Sequence, residues 1–509
     1  MLSEDELLTV KQAAKLINRT PENISYLLQY NRVHKFDING KKIEKNGIGG
    51  LNKVRVSKTE LLNYLDKRNE SIEKERKEKL GEFNEDLTFD GVPEKIRTKH
   101  VHRLHQYKGK FIPQLVEYFL DNYFDEGDLI LDPFMGSGTT LVQANEMGIR
   151  SVGIDITPFN CMIAEVKTRE YDIELLKNEL KDILKKTKQY SKETFSRDYE
   201  KEIKQYISEF NREILPNIEK EHDKKSKSYA KIVIKKFYDW LENNTDFEVE
   251  HNNNKQLSIT TSSYLQKWFA DRTLNELKYY RNRIQNYHNK DIMKIILTRA
   301  ARSSRLVPHY DLASPKEPMT DAYYCYKHKQ VCYPIQNAIK KLDLYTRDSI
   351  KRIEEYAKIR KNVLTKVLPH DDARFIKMEK YLDEKFDGIF TSPPYVGNIN
   401  YHEQHRYAYE LLDIDRFDEN EIGRKSEGKG KKAKQNYIDN ISQVLINLRK
   451  YMKQNADVFI VANDKHNLYE TIALNADMEI VKEHLRPVSN RTERDKGFYS
   501  ETIFHMKYI

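Results

Sequence analysis

The chain has 509 residues, with 88 Lys and Arg against 79 Asp and Glu, a net charge of +9, and 39% apolar residues beside 33% charged ones. No apolar run approaches the roughly 20 residues that cross a bilayer, Met1 to Val10 lacks a signal-peptide pattern, and three cysteines (Cys161, Cys325, Cys332) are too few for a disulfide framework. Membrane and disulfide-stapled secreted classes are thereby excluded, a cytoplasmic chain of about two to four domains is expected, and the basic excess favours an anionic partner such as nucleic acid.

Residues 1–70 form the first expected unit. LLTVKQAAKLI carries apolar residues at helical spacing, and NRTPENISYLLQ restarts a helix with Thr20 as cap and Pro21 at the first helical position. HKFDINGKKIEKNGIGGLNKVRV reads as a hairpin-like wing. Ser57 to Glu60 is a capping box opening LLNYLDKR. The unit resembles the winged helix-turn-helix of the excisionase and MerR type, which implies DNA binding, with Lys35, Lys41, Lys42, Lys45, Lys53 and Arg55 as candidate phosphate contacts. Residues 71–98 are a charged helical linker.

In GDLILDPFMGSGTTLVQANEMGIRSVGID, Leu129 to Leu131 make a short buried strand ending at Asp132-Pro133. Gly136, Ser137 and Gly138 form a loop whose backbone N–H groups can approach a ligand closely. Thr139 or Thr140 then caps a helix ending at Gly148, and RSVGID is a strand tipped by Asp155, placed to bind ribose hydroxyls. This is the nucleotide crevice of an open α/β sheet. No Gly-Lys-Thr follows, so it is not a P-loop, and it lacks the dinucleotide fingerprint.

DPFMGSGTT resembles motif I of the S-adenosylmethionine-dependent methyltransferases that modify exocyclic amino groups in DNA. The resemblance implies cofactor contacts from Asp132, Pro133, Phe134, Gly136, Ser137, Gly138, Thr139 and Asp155. HQYKGKFIPQLVEYFL resembles motif X, bringing Lys110, Phe111 and Pro113 beside the methionine end of the cofactor. LPHDDARFI resembles motif III, with Asp372 as reader of the adenine amino group and Asp371 as its rival.

FDGIFTSPPYVGNINY ends a strand, Phe386 to Phe390, in Thr391-Ser392-Pro393-Pro394-Tyr395. This resembles motif IV in the Ser-Pro-Pro-Tyr form of cytosine-N4 enzymes, which implies catalytic roles for Ser392, Pro393, Pro394 and Tyr395. A conjugated amino nitrogen is a poor nucleophile until acceptors hydrogen-bonded to its two N–H groups draw it towards tetrahedral geometry. Ser392 Oγ and the Pro393 carbonyl are the proposed acceptors, and Tyr395 offers a face for an extruded base. His402 and His405 in the following HEQHRYAYELL are expected to face DNA or solvent.

GRKSEGKGKKAKQN, Gly423 to Asn436, reads as a mobile basic loop, and RPVSNRTERDKGFYSETIFHM as a strand pair around a polar loop in which Arg491, Thr492 and Arg494 are candidate phosphate contacts. CYKHKQVC offers Cys325, His328 and Cys332 as metal donors, but neither spacing is the usual paired one, and no metal is expected.

The expected fold is therefore α/β and Rossmann-like: a mixed, mostly parallel seven-stranded sheet with helices on both faces. Residues 99–170 and 346–509 make the methyltransferase domain, and residues 171–345 a large helical insertion, the candidate target-recognition domain. The resemblance implies a cytosine-N4 methyltransferase using S-adenosyl-L-methionine on double-stranded DNA. It further implies a modification role beside a separately encoded restriction endonuclease, and no membrane partner. Adenine-N6 methylation, an RNA amino-methyltransferase and a regulator with a degenerate methylase fold remain the alternatives.

Overall fold

The computed structural model of the chain describes residues 6–19, 21–29, 32–43, 54–80, 83–89, 92, 94–107, 109–195, 198–223, 228–245, 263–308, 311–312, 315–334, 337–488 and 499–509. Its strands are β1 (Leu7–Thr9), β2 (Arg55–Ser57), β3 (Leu129–Asp132), β4 (Arg150–Gly153), β5 (Tyr323–Cys325), β6 (Gln330–Cys332), β7 (Thr365–Val367), β8 (Phe386–Thr391), β9 (Met452–Ala462), β10 (Met478–Val488) and β11 (Tyr499–Tyr508).

Seven of these form one sheet in the order β7-β4-β3-β8-β9-β11-β10. All run parallel except β11, which lies antiparallel between β9 and β10. The short parallel strands are buried on both sides, as strands covered by helices on two faces must be. Alternation divides them: Leu129 and Leu131 enter one core with Ile389 and helix Lys431–Arg449, whereas Ile130 and Phe390 enter another with helix Pro113–Tyr123. The Rossmann-like architecture expected from the motifs is the one observed.

The first unit packs helices Val10–Leu16 and Pro21–Gln29 against the β1–β2 pair around Val10, Ala13, Ile24, Leu27, Val56 and Leu61. Leu7 to Thr9, read as helical from its apolar spacing, is a strand because it pairs with β2, and Thr9 instead caps the helix that follows in a capping box with Gln12. Thr20 lies outside the described residues, and Pro21 does open the second helix. The Ser57 box is half formed. Glu60 N–H donates to Ser57 Oγ at 3.2 Å, while the Glu60 carboxylate turns to the backbone N–H of His34. Of the candidate phosphate contacts, Lys41 and Lys42 are exposed, Arg55 is half-buried and Lys35 is buried, which removes Lys35 from the surface. Lys45 and Lys53 lie outside the described residues. Helix Lys58–Leu80 then runs unbroken across the expected boundary at residue 70.

The insertion has two parts. Helices Ile173–Thr194, Asp271–Arg283, Lys290–Ser303 and Ala338–Ala357 share one apolar core with helices Pro158–Thr168 and Arg406–Leu412. Helices Asp198–Glu209 and Tyr229–Asn244 close a separate core against the β5–β6 hairpin. Only the second part is packed as a body of its own. No described helix is long and apolar enough to cross a membrane.

Candidate active site

Strand order reverses between β3 and β8: the chain passes from β3 to β4 on one side and later returns to β8 on the other. In an open parallel sheet, the carboxyl ends of such a pair open a crevice for ligands. The glycine loop leaves β3 there and Ser392-Pro393-Pro394-Tyr395 leaves β8 there. The two strands are in register at Leu131 and Ile389, so the loops are neighbours.

A single cleft lies between them. Pro133, Phe134, Gly136, Ser137 and Thr139 form one wall, Ser392 and Pro394 another, and Lys110, Phe111, Asp155, Asp371 and Asp372 complete it. Asp132, Gly138, Pro393 and Tyr395 do not line this cleft. Each of them except Pro393, which is simply buried, has a different structural task.

Asp132 ties the two loops together. Its Oδ1 accepts the Thr391 hydroxyl at 2.6 Å and the Phe134 N–H at 3.1 Å, so the end of β3 is bonded to the residue before Ser392. Burial pushes its carboxyl up to about 6, against the opposing pull of those hydrogen bonds. A folded state that holds a proton to higher pH than the unfolded chain loses stability as pH rises through that window. Asp132→Asn keeps an Oδ1 acceptor for both donors and removes the charge. We expect the variant to be more stable than the parent by about 3 kcal/mol at about pH 8 and by about half that at about pH 5, in urea unfolding at each pH.

Gly138, not Thr139 or Thr140, is the cap residue of helix Thr139–Glu146. Its φ is +74°, and a Cβ there would stand 2.8 Å from the Ala164 Cβ, so glycine permits the close approach of helix Pro158–Thr168. Asp155 reaches back to the glycine loop: its carboxylate accepts Gly136 N–H at 3.0 Å, Thr157 N–H at 2.8 Å and Asn160 Nδ2 at 3.1 Å. The loop is held from behind by Lys167, fully buried, whose Nζ donates to the Ser137 carbonyl at 2.5 Å. Burial, helped by Lys110, pushes the Lys167 pKa well down.

Asp372 is engaged by Arg374, whose Nε lies 2.9 and 3.0 Å from its two oxygens. Among the described residues, no ion pair engages the adjacent Asp371. Lys110 Nζ donates to the His102 carbonyl at 2.8 Å, and the Phe111 ring meets Phe390 edge-on. Pro113 opens helix Pro113–Tyr123.

Tyr395 turns into a second hollow with Asn398, Lys429, Asn463, Asp464 and His466. Its hydroxyl donates to Glu501 Oε1 at 3.1 Å, and Glu501 Oε2 pairs with Arg486 Nη1 at 2.6 Å. Ser392 Oγ donates to the Val461 carbonyl at 3.0 Å. The residues after Tyr395 are clasped by the segment expected to be a mobile loop. Gly397 N–H donates to Gly423 O, Ser426 N–H to Asn400 Oδ1, and Lys429 Nζ to Asn398 Oδ1. Gly397 has φ +64°, and a Cβ would meet Gly428 O at 2.6 Å, which explains glycine here. That basic stretch is a 3₁₀ turn, Lys425–Glu427, followed by the start of helix Lys431–Arg449.

His402 and His405 are buried, contrary to the expectation of a DNA- or solvent-facing pair. His402 Nε2 accepts the Phe417 N–H at 3.1 Å, so its proton is on Nδ1, bonded to Glu421. His405 stacks on Tyr107, which stacks in turn on Tyr401. Tyr107 and Tyr401 lie within the HQYKGKFIPQLVEYFL and FDGIFTSPPYVGNINY stretches but outside the residues expected to act, and they give the cleft an aromatic wall. Arg491, Thr492 and Arg494 lie outside the described residues, but the antiparallel β10–β11 pair that flanks them is present.

The cleft suits an S-adenosylmethionine-sized ligand with polar and flat parts. Ser137 Oγ and Asn160 Oδ1, both buried and both in residues of its wall, have no hydrogen-bond partner among the described residues. Acids and aromatic rings converge on the same space, while the Gly136 and Gly138 N–H groups are held by the Asp155 carboxylate and the Met135 carbonyl and shape the loop.

A profile of the DNA methylase family matches residues 11–166. The chain is 45% identical to the type II methyltransferase M.MjaII of Methanocaldococcus jannaschii across 99% of its own length and 97% of that protein. It is 26% identical to the type II methyltransferase M.BsoBI of Geobacillus stearothermophilus over 63% of its length and 54% of the relative. The type II methyltransferase M.MvaI of Kocuria varians is 22% identical over 71% of this chain and 68% of the relative.

Proposed function

Because the chain belongs to the type II DNA methyltransferase family, whose members use S-adenosyl-L-methionine, we propose that it methylates the exocyclic N4 amino group of cytosine in duplex DNA, as the modification partner of a separately encoded restriction endonuclease. The observation that carries this reading is the shared cleft, with the glycine loop on one wall and Ser392 and Pro394 on another.

S-adenosyl-L-methionine supplies an electrophilic methyl group on a sulfonium. The Ser137 hydroxyl would hold its polar groups, and Asp155 would take its ribose hydroxyls. Of the two acids after β7, Asp371 is the freer acceptor for the adenine amino group, since Asp372 is held by Arg374. Lys110 and Phe111 close the methionine end beside Tyr107 and Tyr401.

The base enters from the other side. Watson–Crick pairing hides the amino group, so the nucleotide must leave the stack, and the Tyr395 ring receives it in the second hollow. The Ser392 oxygen and the Pro393 carbonyl would accept hydrogen bonds from the two amino N–H groups. That draws the nitrogen towards tetrahedral geometry and aims its lone pair along the cleft. As the nitrogen bonds to the methyl carbon the carbon–sulfur bond breaks, and one proton passes to solvent, leaving the product one N–H. Two consecutive prolines offer no N–H to divert those acceptors. Positioning of donor and acceptor supplies most of the acceleration. The Ser-Pro-Pro-Tyr form is what favours cytosine over adenine. The N-terminal unit, with exposed Lys41 and Lys42, and the separately packed part of the insertion are the surfaces we assign to reading the duplex.

The test is direct. Incubate the protein with labelled S-adenosylmethionine and duplex DNA or RNA, digest to nucleosides and identify the labelled one. N4-methyldeoxycytidine is expected. N6-methyldeoxyadenosine would overturn the base assignment, label in RNA alone the substrate, and no label in either polymer the reaction.

A further inference from the structure

We propose that Cys325, His328 and Cys332 form a zinc site that staples the β5–β6 hairpin of the insertion. The unpaired spacing of these residues argues against a metal, but folding brings their donor atoms within 4.8 Å of one another. Cys332 Sγ lies 3.5 Å from His328 Nδ1. A tetrahedral ion with Zn–S of about 2.3 Å and Zn–N of about 2.0–2.1 Å separates its sulfur and nitrogen ligands by about 3.6 Å, so this edge already has the required length.

The register explains the convergence. Tyr323 pairs with Cys332 and Cys325 with Gln330, which places both cysteines on one face of the hairpin. The other face, with Tyr324 and Val331, packs into the core of the neighbouring helices. Among the described residues, the cysteine face has Tyr323 and the partly buried Met319 for apolar company. A hairpin of three-residue strands is marginal without further support. Its turn also holds Lys329 at φ +55°, a region non-glycine residues seldom occupy, with its N–H donating to the Cys325 carbonyl. A metal bound to both cysteines and the turn histidine would fix this turn and tie the strands.

Two thiolates and an imidazole are the donor set that selects zinc over harder divalent ions. Among the described residues no fourth protein donor joins the group, and His328 is exposed, so water completes the coordination.

The full chain, purified without chelator under reducing conditions, is expected to carry about one zinc per molecule by elemental analysis. His328→Ala alters an exposed side chain. It should lower zinc content at least about fivefold while S-adenosylmethionine binding persists, and Cys332→Ser should do the same. In the unaltered chain, stripped and refilled with Co(II) alone, thiolate charge-transfer and tetrahedral d–d bands should appear. A wild-type chain with no zinc and no such bands would overturn the site, as would equal zinc in wild type and His328→Ala. A Cys325–Cys332 disulfide in the reduced preparation would overturn it too.

Discussion

A Ser392→Ala, Tyr395→Ala double variant is expected to bind S-adenosylmethionine within about threefold of the parent and to lose methyl transfer by at least about 10²–10³-fold. Ser392 lines the cleft opposite the glycine loop, and the change to alanine removes only its hydroxyl, bonded to the Val461 carbonyl. Tyr395 does not touch that cleft at all and faces the second hollow. Removing both therefore takes away a hydrogen-bond acceptor and a stacking face while leaving the cofactor walls standing. Equilibrium binding and single-turnover transfer separate the two effects. Transfer at the parental rate would remove these residues from the mechanism. Loss of binding in step with transfer would mean that they shape the cofactor site instead.

The second large effect is expected at Arg486, a residue no motif singled out. Its Nη1 pairs with Glu501 at 2.6 Å, and its Nε donates to the Leu87 carbonyl at 2.9 Å, all of it buried. Arg486→Met would leave the Glu501 carboxylate without its cation in a site where water cannot replace it. Breaking one side of a buried pair costs about 3–5 kcal/mol, which urea unfolding would register as a clear shift of midpoint. Adding Glu501→Gln should recover most of that loss, because the stranded charge is gone. Since Glu501 also accepts the Tyr395 hydroxyl, both variants should slow transfer more than they weaken cofactor binding. A midpoint unchanged in Arg486→Met would show that the pair adds nothing net.

Ser392 and Tyr395 stand in one short run whose chemistry can be read from residue types. The Gly-Ser-Gly turn between Asp132 and Thr139 is similar: a strand, a turn that needs glycine and a helix follow one another locally, so spacing alone announces them. The strand pair around residues 489–498 was also visible, because alternation is a local property.

Partners separated by long stretches of chain were not visible. Thr391 could be quoted from its motif, yet its bond to Asp132 exists only because β3 and β8, distant in sequence, are sheet neighbours. The burial of His402 and His405 is hidden for the same reason, since a helix shows its apolar face in sequence but not which neighbours cover its polar residues. The basic stretch after Gly423 reads as loose from its glycines and lysines. It is ordered by hydrogen bonds to Asn398 and Asn400, which composition cannot reveal.

The sequence by itself determined the α/β class, the Gly-Ser-Gly turn after β3, the Ser-Pro-Pro-Tyr run after β8 and the basic character of the chain, because each depends on residues within a few positions of one another. Only the tertiary structure decided that the two loops share a cleft, that Glu501 and Arg486 anchor Tyr395, that one part of the insertion shares a core with helices Pro158–Thr168 and Arg406–Leu412, and that two cysteines and a histidine meet across a hairpin. Pairing between remote segments depends on sheet order and burial, and those are fixed by the free energy of the whole packed chain rather than by any local stretch of it.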